Sequence, residues 1–130
     1  MSNKNISPYL YPGLRISNDV RNEIKRRTKY FKFSLTKEEI LTIIAEENSV
    51  NVNDILTKSR KKELVNARHT YSSILKRYYG YTYVRIANIM NKDHTTIIHS
   101  VDTFRTRYIN EEDYRHIAHK IYNRIGIQTF

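Results

Sequence analysis

From Thr36 to Ile125 apolar residues recur three and four positions apart, and no stretch shows the twofold alternation of a strand. This rhythm constrains the fold most, and it predicts an all-α chain. "TKEE" at 36–39 has the form of a capping box, with Thr36 as N-cap and Glu39 reaching back. Ile40, Leu41, Ile43 and Ile44 then give a buried stripe to a helix ending near Asn48. "VNVNDILTKSRKK" reads as a turn, one short helical turn around residues 54–56, and a basic loop. A long helix over 62–79 carries Leu64, Ala67, Arg68, Tyr71, Leu75 and Tyr78, and Gly80 stands where a C′ residue belongs. Thr82 can cap a short helix, "YVRIANIM", that offers Val84, Ile86, Ala87 and Met90 for burial. After the break "NKD", a helix over about 93–106 aligns Ile97, Val101, Phe104 and Tyr108, with Ile98 beside them. "INEED" suits the start of a last helix, with Tyr114, Ile117, Ala118, Ile121 and Ile125 on one side and Gly126 closing it.

The charge is uneven. The chain has 130 residues and a net charge of +10, and residues 1–35 hold eight Lys/Arg against two acids. Residues 51–109 hold eleven against four, whereas residues 36–50 are acidic and residues 110–130 balance. Such a field attracts polyanions, nucleic acid above all. Both prolines and Gly13 fall early, so residues 1–20 read as an extended leader. The segment "VRNEIKRRTKYFKF" reads as a basic helix or a mobile arm that extends a phosphate footprint, enters a minor groove or docks a partner. The expected division is a basic arm over 1–35, a DNA-binding domain over 36–109 and a C-terminal helix over 110–130, packed on that domain or extending it. With no cysteine, disulfides and thiolate metal sites are excluded. No apolar run approaches the ~18 residues of a membrane span, and "MSNKNISPYL" lacks a signal-peptide core. A cytoplasmic, nucleoid-associated protein is expected.

The short helix, the break and the following helix together form a helix-turn-helix pattern, in which the first turn of the second helix faces base edges. Burial of the Ile97 stripe leaves His94, Thr95, His99 and Thr103 largely off the inward face. Asp93 is placed as N-cap, with its carboxylate expected to accept from the amides of Thr95 or Thr96. Hydroxyl, imidazole and carboxylate groups all suit base readout. Taken alone, though, "DHTT" is also simply a good helix start.

"DHTTIIHS", preceded by "YVRIANIMNK" and "RKKELVNARHTYSSILKRYYGYT", resembles the C-terminal DNA-binding domain of the bacterial replication initiator DnaA, over about residues 40–108. The resemblance implies an all-α, Trp-repressor-like helical bundle with no enzymatic activity of its own and no cofactor. It implies base contacts from Asp93, His94 and Thr95 in the major groove of a short A/T-rich box (TTATNCACA-like), with Thr96 at adjacent bases or backbone. It implies minor-groove insertion of Arg60 and phosphate contacts from Lys58, Lys61, Lys62, Arg68, Lys76 and Lys92. His69 stands where the family commonly has glutamine and joins that backbone group. The family's turn before the aspartate reads Gly-Gly-Arg. Here it is Asn91-Lys92, one residue shorter and without glycine, and lysine keeps the charge but lacks the guanidinium fork. The ATPase domain's G-x-x-x-x-G-K-[ST] loop is absent.

Other readings fit less. His94 and His99 are five apart and do not share a face as metal ligands would at i, i+4. Asp93 or Asp102 with His94 or His99, or His116 with His119, could be drawn as acid–base pairs. Eleven tyrosines could stack single-stranded bases, but most recur at core spacing. The expected partner is double-stranded DNA at DnaA-box-like sites, in a replication or transcription regulator or accessory factor of a phage or mobile element. The alternatives are an adaptor for replication proteins and a non-specific or single-strand binder.

Overall fold

The capping box at Thr36 forms as its residues predict: Glu39 N donates to Thr36 Oγ1 at 3.1 Å, and Thr36 N donates to Glu39 Oε1 at 2.8 Å. It opens α1 (Lys37–Glu47) in a computed structural model that describes residues 35–127. The leader and basic segment expected over residues 1–34 lie outside the described residues. Beyond α1 come α2 (Val52–Ile55), α3 (Lys62–Arg77), α4 (Tyr83–Met90), α5 (His94–Asn110) and α6 (Glu112–Ile125). No strand occurs among the described residues.

Helix α3 is the axis of the bundle. It packs most extensively on α5 and also touches α1, α2 and α4. Its inner face carries Ala67, Tyr71, Ile74 and Leu75, all essentially without solvent exposure. Each large apolar side chain buried this way contributes about 1.5–3 kcal/mol. Ser72 and Ser73 are also fully buried, so neighbouring helices can approach closely there, and the Ser72 hydroxyl meets Met90 Sδ at 3.1 Å. Helix α6 lies against both α1 and α5. It needs a wider apolar face than one stripe supplies, and Tyr122, next to Ile121, is completely buried. Arg124 joins this helix to α1 through Glu46 at 2.6 Å and Glu47 at 3.1 Å.

Two details depart from the expected pattern. Val84 was expected inside but is 58% exposed, because Ile86, Ala87 and Met90 alone turn the short α4 inward. Helix α5 runs on to Asn110, so only Glu111 separates it from α6. No Gly or Pro makes that corner. Arg107 holds the Glu111 carboxylate with two hydrogen bonds of 3.0 Å, and Arg115 donates to the carbonyls of Tyr108 and Ile109.

The turn inside the helix-turn-helix closes without a glycine. Asn91 adopts the left-handed region (φ 54°, ψ 50°), Lys92 N donates to Ala87 O at 2.9 Å, and Asn91 N donates to Asn88 O at 3.4 Å. These are the two bonds of a Schellman cap, with asparagine, the side chain most tolerant of this region, in the glycine place.

Candidate nucleic-acid interface

The basic loop between α2 and α3 alternates hydroxyl and cationic residues: Thr57, Lys58, Ser59, Arg60, Lys61. The hydroxyls bond back to the main chain. Thr57 Oγ1 donates to Asp54 O at 2.6 Å, Ser59 N donates to Thr57 Oγ1, and Lys61 N donates to Ser59 Oγ, both at 3.3 Å. The intervening Lys58 and Arg60 are exposed. Local side-chain bonds of this kind shape a loop without a core beneath it.

Arg68 fixes the loop from below. It is 8% exposed, and its Nε and Nη1 donate to the carbonyls of Ile55 and Ser59. Burial lowers its pKa from the ordinary arginine value. Two of its three nitrogens are therefore committed to the fold, while the buried Nη2 has no protein partner. A buried unpaired donor of this kind is costly and calls for an acceptor.

Arg68 lines a cleft of about 560 Å³ between the loop and the start of α5, together with Lys58, Arg60, His69, Lys92, Asp93 and Thr96. Asp93 is the one acid in a lining that holds four Lys/Arg. Of the residues singled out in the sequence, Lys61, Lys62, Lys76, His94 and Thr95 are not among its lining. Lys61 borders a second cleft with Asp54 and Glu63, and Lys76 Nζ sits 4.2 Å over the Tyr83 ring.

At the rim, His94, Thr95 and Thr96 form the exposed first turn of α5, whereas Ile97, Ser100, Val101, Phe104 and Tyr108 are buried. Asp93 is the N-cap by its backbone (φ −75°, ψ 150°), but its carboxylate makes no capping bond, contrary to expectation. His94, Thr95 and Thr96 are all exposed, and helix-start amides that water can reach do not require a side-chain cap. His99 is exposed and meets Thr103 Oγ1 at 3.4 Å. His119 is half-buried, with Nε2 against the Tyr108 hydroxyl, whereas His116 is exposed. Of the eight described tyrosines, four are buried and four half-buried, as packing requires and as a base-stacking platform does not. Among the described residues no group of three or more His, Asp or Glu could hold a metal ion, and no helix is long and apolar enough to cross a membrane.

His69 is held neutral. Burial first, then Arg107, His99 and Arg68 around it, push its pKa from 6.5 down to about 4, and its buried Nδ1 has no partner. Between those two values the unfolded chain binds a proton that the folded chain refuses. Protonation then favours unfolding, so this contribution is intact above pH 6.5 and is lost as pH falls toward 4. At about 1.4 kcal/mol per pH unit, the loss reaches about 2–3 kcal/mol. Urea unfolding at pH 7.5 and 5.0 should show this slope in the unsubstituted chain and a flatter one in His69→Gln. Equal slopes would contradict the assignment.

A short helix, a three-residue turn and a second helix with an exposed polar first turn beside a cationic cleft define a helix-turn-helix protein. The description "Bacterial dnaA protein helix-turn-helix" matches residues 37–103, and the chain belongs to that family. It is 26% identical over 106 residues to the chromosomal replication initiator protein DnaA of Leptospira biflexa, covering 82% of this chain and 24% of that protein. It is 31% identical over 75 residues to the initiator of Pseudothermotoga lettingae, covering 58% of this chain and 17% of that one. For the initiator of Trichormus variabilis the figures are 33% over 72 residues, 55% and 16%. The chain thus spans about a quarter or less of the length of these relatives.

Proposed function

We propose that this protein reads duplex DNA in a sequence-specific way through α4 and α5, as a non-enzymatic regulator or accessory factor of replication initiation or of transcription. The observation that carries the reading is the convergence of Lys58, Arg60, Arg68 and Lys92 on one cleft, beside the exposed His94 and Thr95. A phosphate oxygen is the acceptor that such a cleft lacks, and an exposed first turn at its rim is the part of a helix-turn-helix that meets base edges.

In this reading Asp93, His94 and Thr95 address bases in the major groove, and Thr96 addresses the adjacent bases or backbone. Arg60 enters the neighbouring minor groove. Lys58, Lys61, Lys62, Arg68, His69, Lys76 and Lys92 meet phosphates. Residues 36–109 form the DNA-binding unit, α6 within the C-terminal segment 110–130 braces α5 from behind, and the cationic residues 1–35 extend the phosphate footprint. The cellular site is the nucleoid.

Titrations of a TTATNCACA-like duplex, its scrambled counterpart and the separated strands, across several salt concentrations, test this. The expected order is box, then scramble, then single strand, with affinity falling steeply with salt as bound counterions are released. Single strands bound as tightly as the duplex would contradict it. A protein partner retained in a pull-down after nuclease treatment, with no duplex binding, would replace it with an adaptor role.

A further inference from the structure

Thr82 caps α4 as Thr36 caps α1, its hydroxyl accepting from the amide three residues on, Arg85 N, at 3.1 Å. In α1 that third position is Glu39, whose carboxylate returns to the cap and completes the box. In α4 it is an arginine, and the first turn has no acid. A cation at this place opposes the positive end of the helix, and the reciprocal bond to the cap is not made. A local choice set against its own helix is a mark of function.

The arginine is also held in place. Its guanidinium lies 3.7 Å from the centroid of the Tyr81 ring. Tyr81 packs edge-on against Tyr79 at 5.4 Å, and the Tyr79 hydroxyl donates to Leu35 O at 3.1 Å. Across Thr82, Lys76 is seated over Tyr83 in the same manner. A guanidinium stacked by its face keeps its N–H edge available for a planar, bidentate acceptor. Arg85 is exposed and pairs with no carboxylate among the described residues.

We infer that Arg85, platformed on Tyr81, is a DNA-phosphate contact at the start of the first helix of the motif. This rests on the duplex-binding reading above. In helix-turn-helix complexes the first helix crosses the sugar–phosphate backbone while the second lies in the major groove, so a phosphate is the anion brought to this end of α4. The contact is assigned to the guanidinium, and the Arg85 amide is already taken by Thr82.

The substitutions Arg85→Gln and Arg85→Glu test this through two readouts of opposite sign. Either one supplies the side chain that completes the capping box, so the thermal midpoint should rise. Duplex affinity should nevertheless fall, about tenfold at low salt for Arg85→Gln and further for Arg85→Glu. The loss should be equal on box and scrambled duplexes, with the salt slope reduced by about 1. Unchanged affinity and slope in both variants, while the unsubstituted chain binds the box, would overturn the inference alone. An unsubstituted chain that binds no duplex would overturn the underlying reading together with it, and this is seen before any variant is made.

Discussion

Replacing His94 with alanine is expected to cost about 1–3 kcal/mol of affinity for a box-bearing duplex and almost nothing for a scrambled one. His94 is the first residue of α5 and is exposed, so its imidazole supports no packing. Alanine is a strong helix former, and surface changes away from caps and cores usually move stability by no more than about 0.5 kcal/mol. The folded fraction should therefore be unchanged while discrimination between sequences narrows. Thr95→Ala should act in the same direction. A loss of equal size on every duplex would make His94 a backbone contact and remove direct readout from the first turn of α5.

Arg68→Ala should produce the largest loss of stability. Its guanidinium donates to the carbonyls of Ile55 and Ser59, fastening both α2 and the basic loop to α3. Hydrogen bonds from a charged donor contribute about 1.5–3 kcal/mol each, and alanine removes both and strands the buried Ile55 carbonyl, so about 3 kcal/mol or more should be lost. In urea this appears as a lower midpoint at unchanged slope. Duplex affinity should fall as well, at temperatures where the variant remains folded, because the loop carrying Lys58 and Arg60 is released. Arg68→Lys should rescue little, since an ammonium does not reproduce the planar fork that spans the two carbonyls. A stability change under about 0.5 kcal/mol would show that the loop is held by its own hydroxyl bonds alone.

Much of the fold is legible because its signals are local. The Thr36 box, the Thr82 cap, the left-handed Gly126 and the three- and four-residue stripes each act within a few residues, and each appears where the sequence puts it. What escaped depends on how elements meet one another. Tyr122 is buried because α6 faces two helices at once, which its own periodicity does not reveal. Val84 stays outside because three inward residues suffice for an eight-residue helix. The continuation of α5 to Asn110 depends on Arg107 and Arg115 rather than on a breaking residue. At the candidate site, the exposed first turn of α5 follows from the stripe beneath it. The grip of Arg68 on the loop does not, because nothing at residue 68 specifies that the carbonyls of residues 55 and 59 come to meet it. The alternation Thr57, Lys58, Ser59, Arg60 was a readable signal for an ordered loop. Asparagine at 91 was a readable substitute for the family's glycine.

The central claim is that the first turn of α5 distinguishes one DNA sequence from another. The most direct measurement is the ratio of dissociation constants for the box and the scrambled duplex at one fixed, near-physiological salt concentration. A specific reader should give a ratio of roughly 10³. A ratio near one, with both affinities falling in parallel as salt rises, would make the protein a cationic DNA binder without readout and contradict the account.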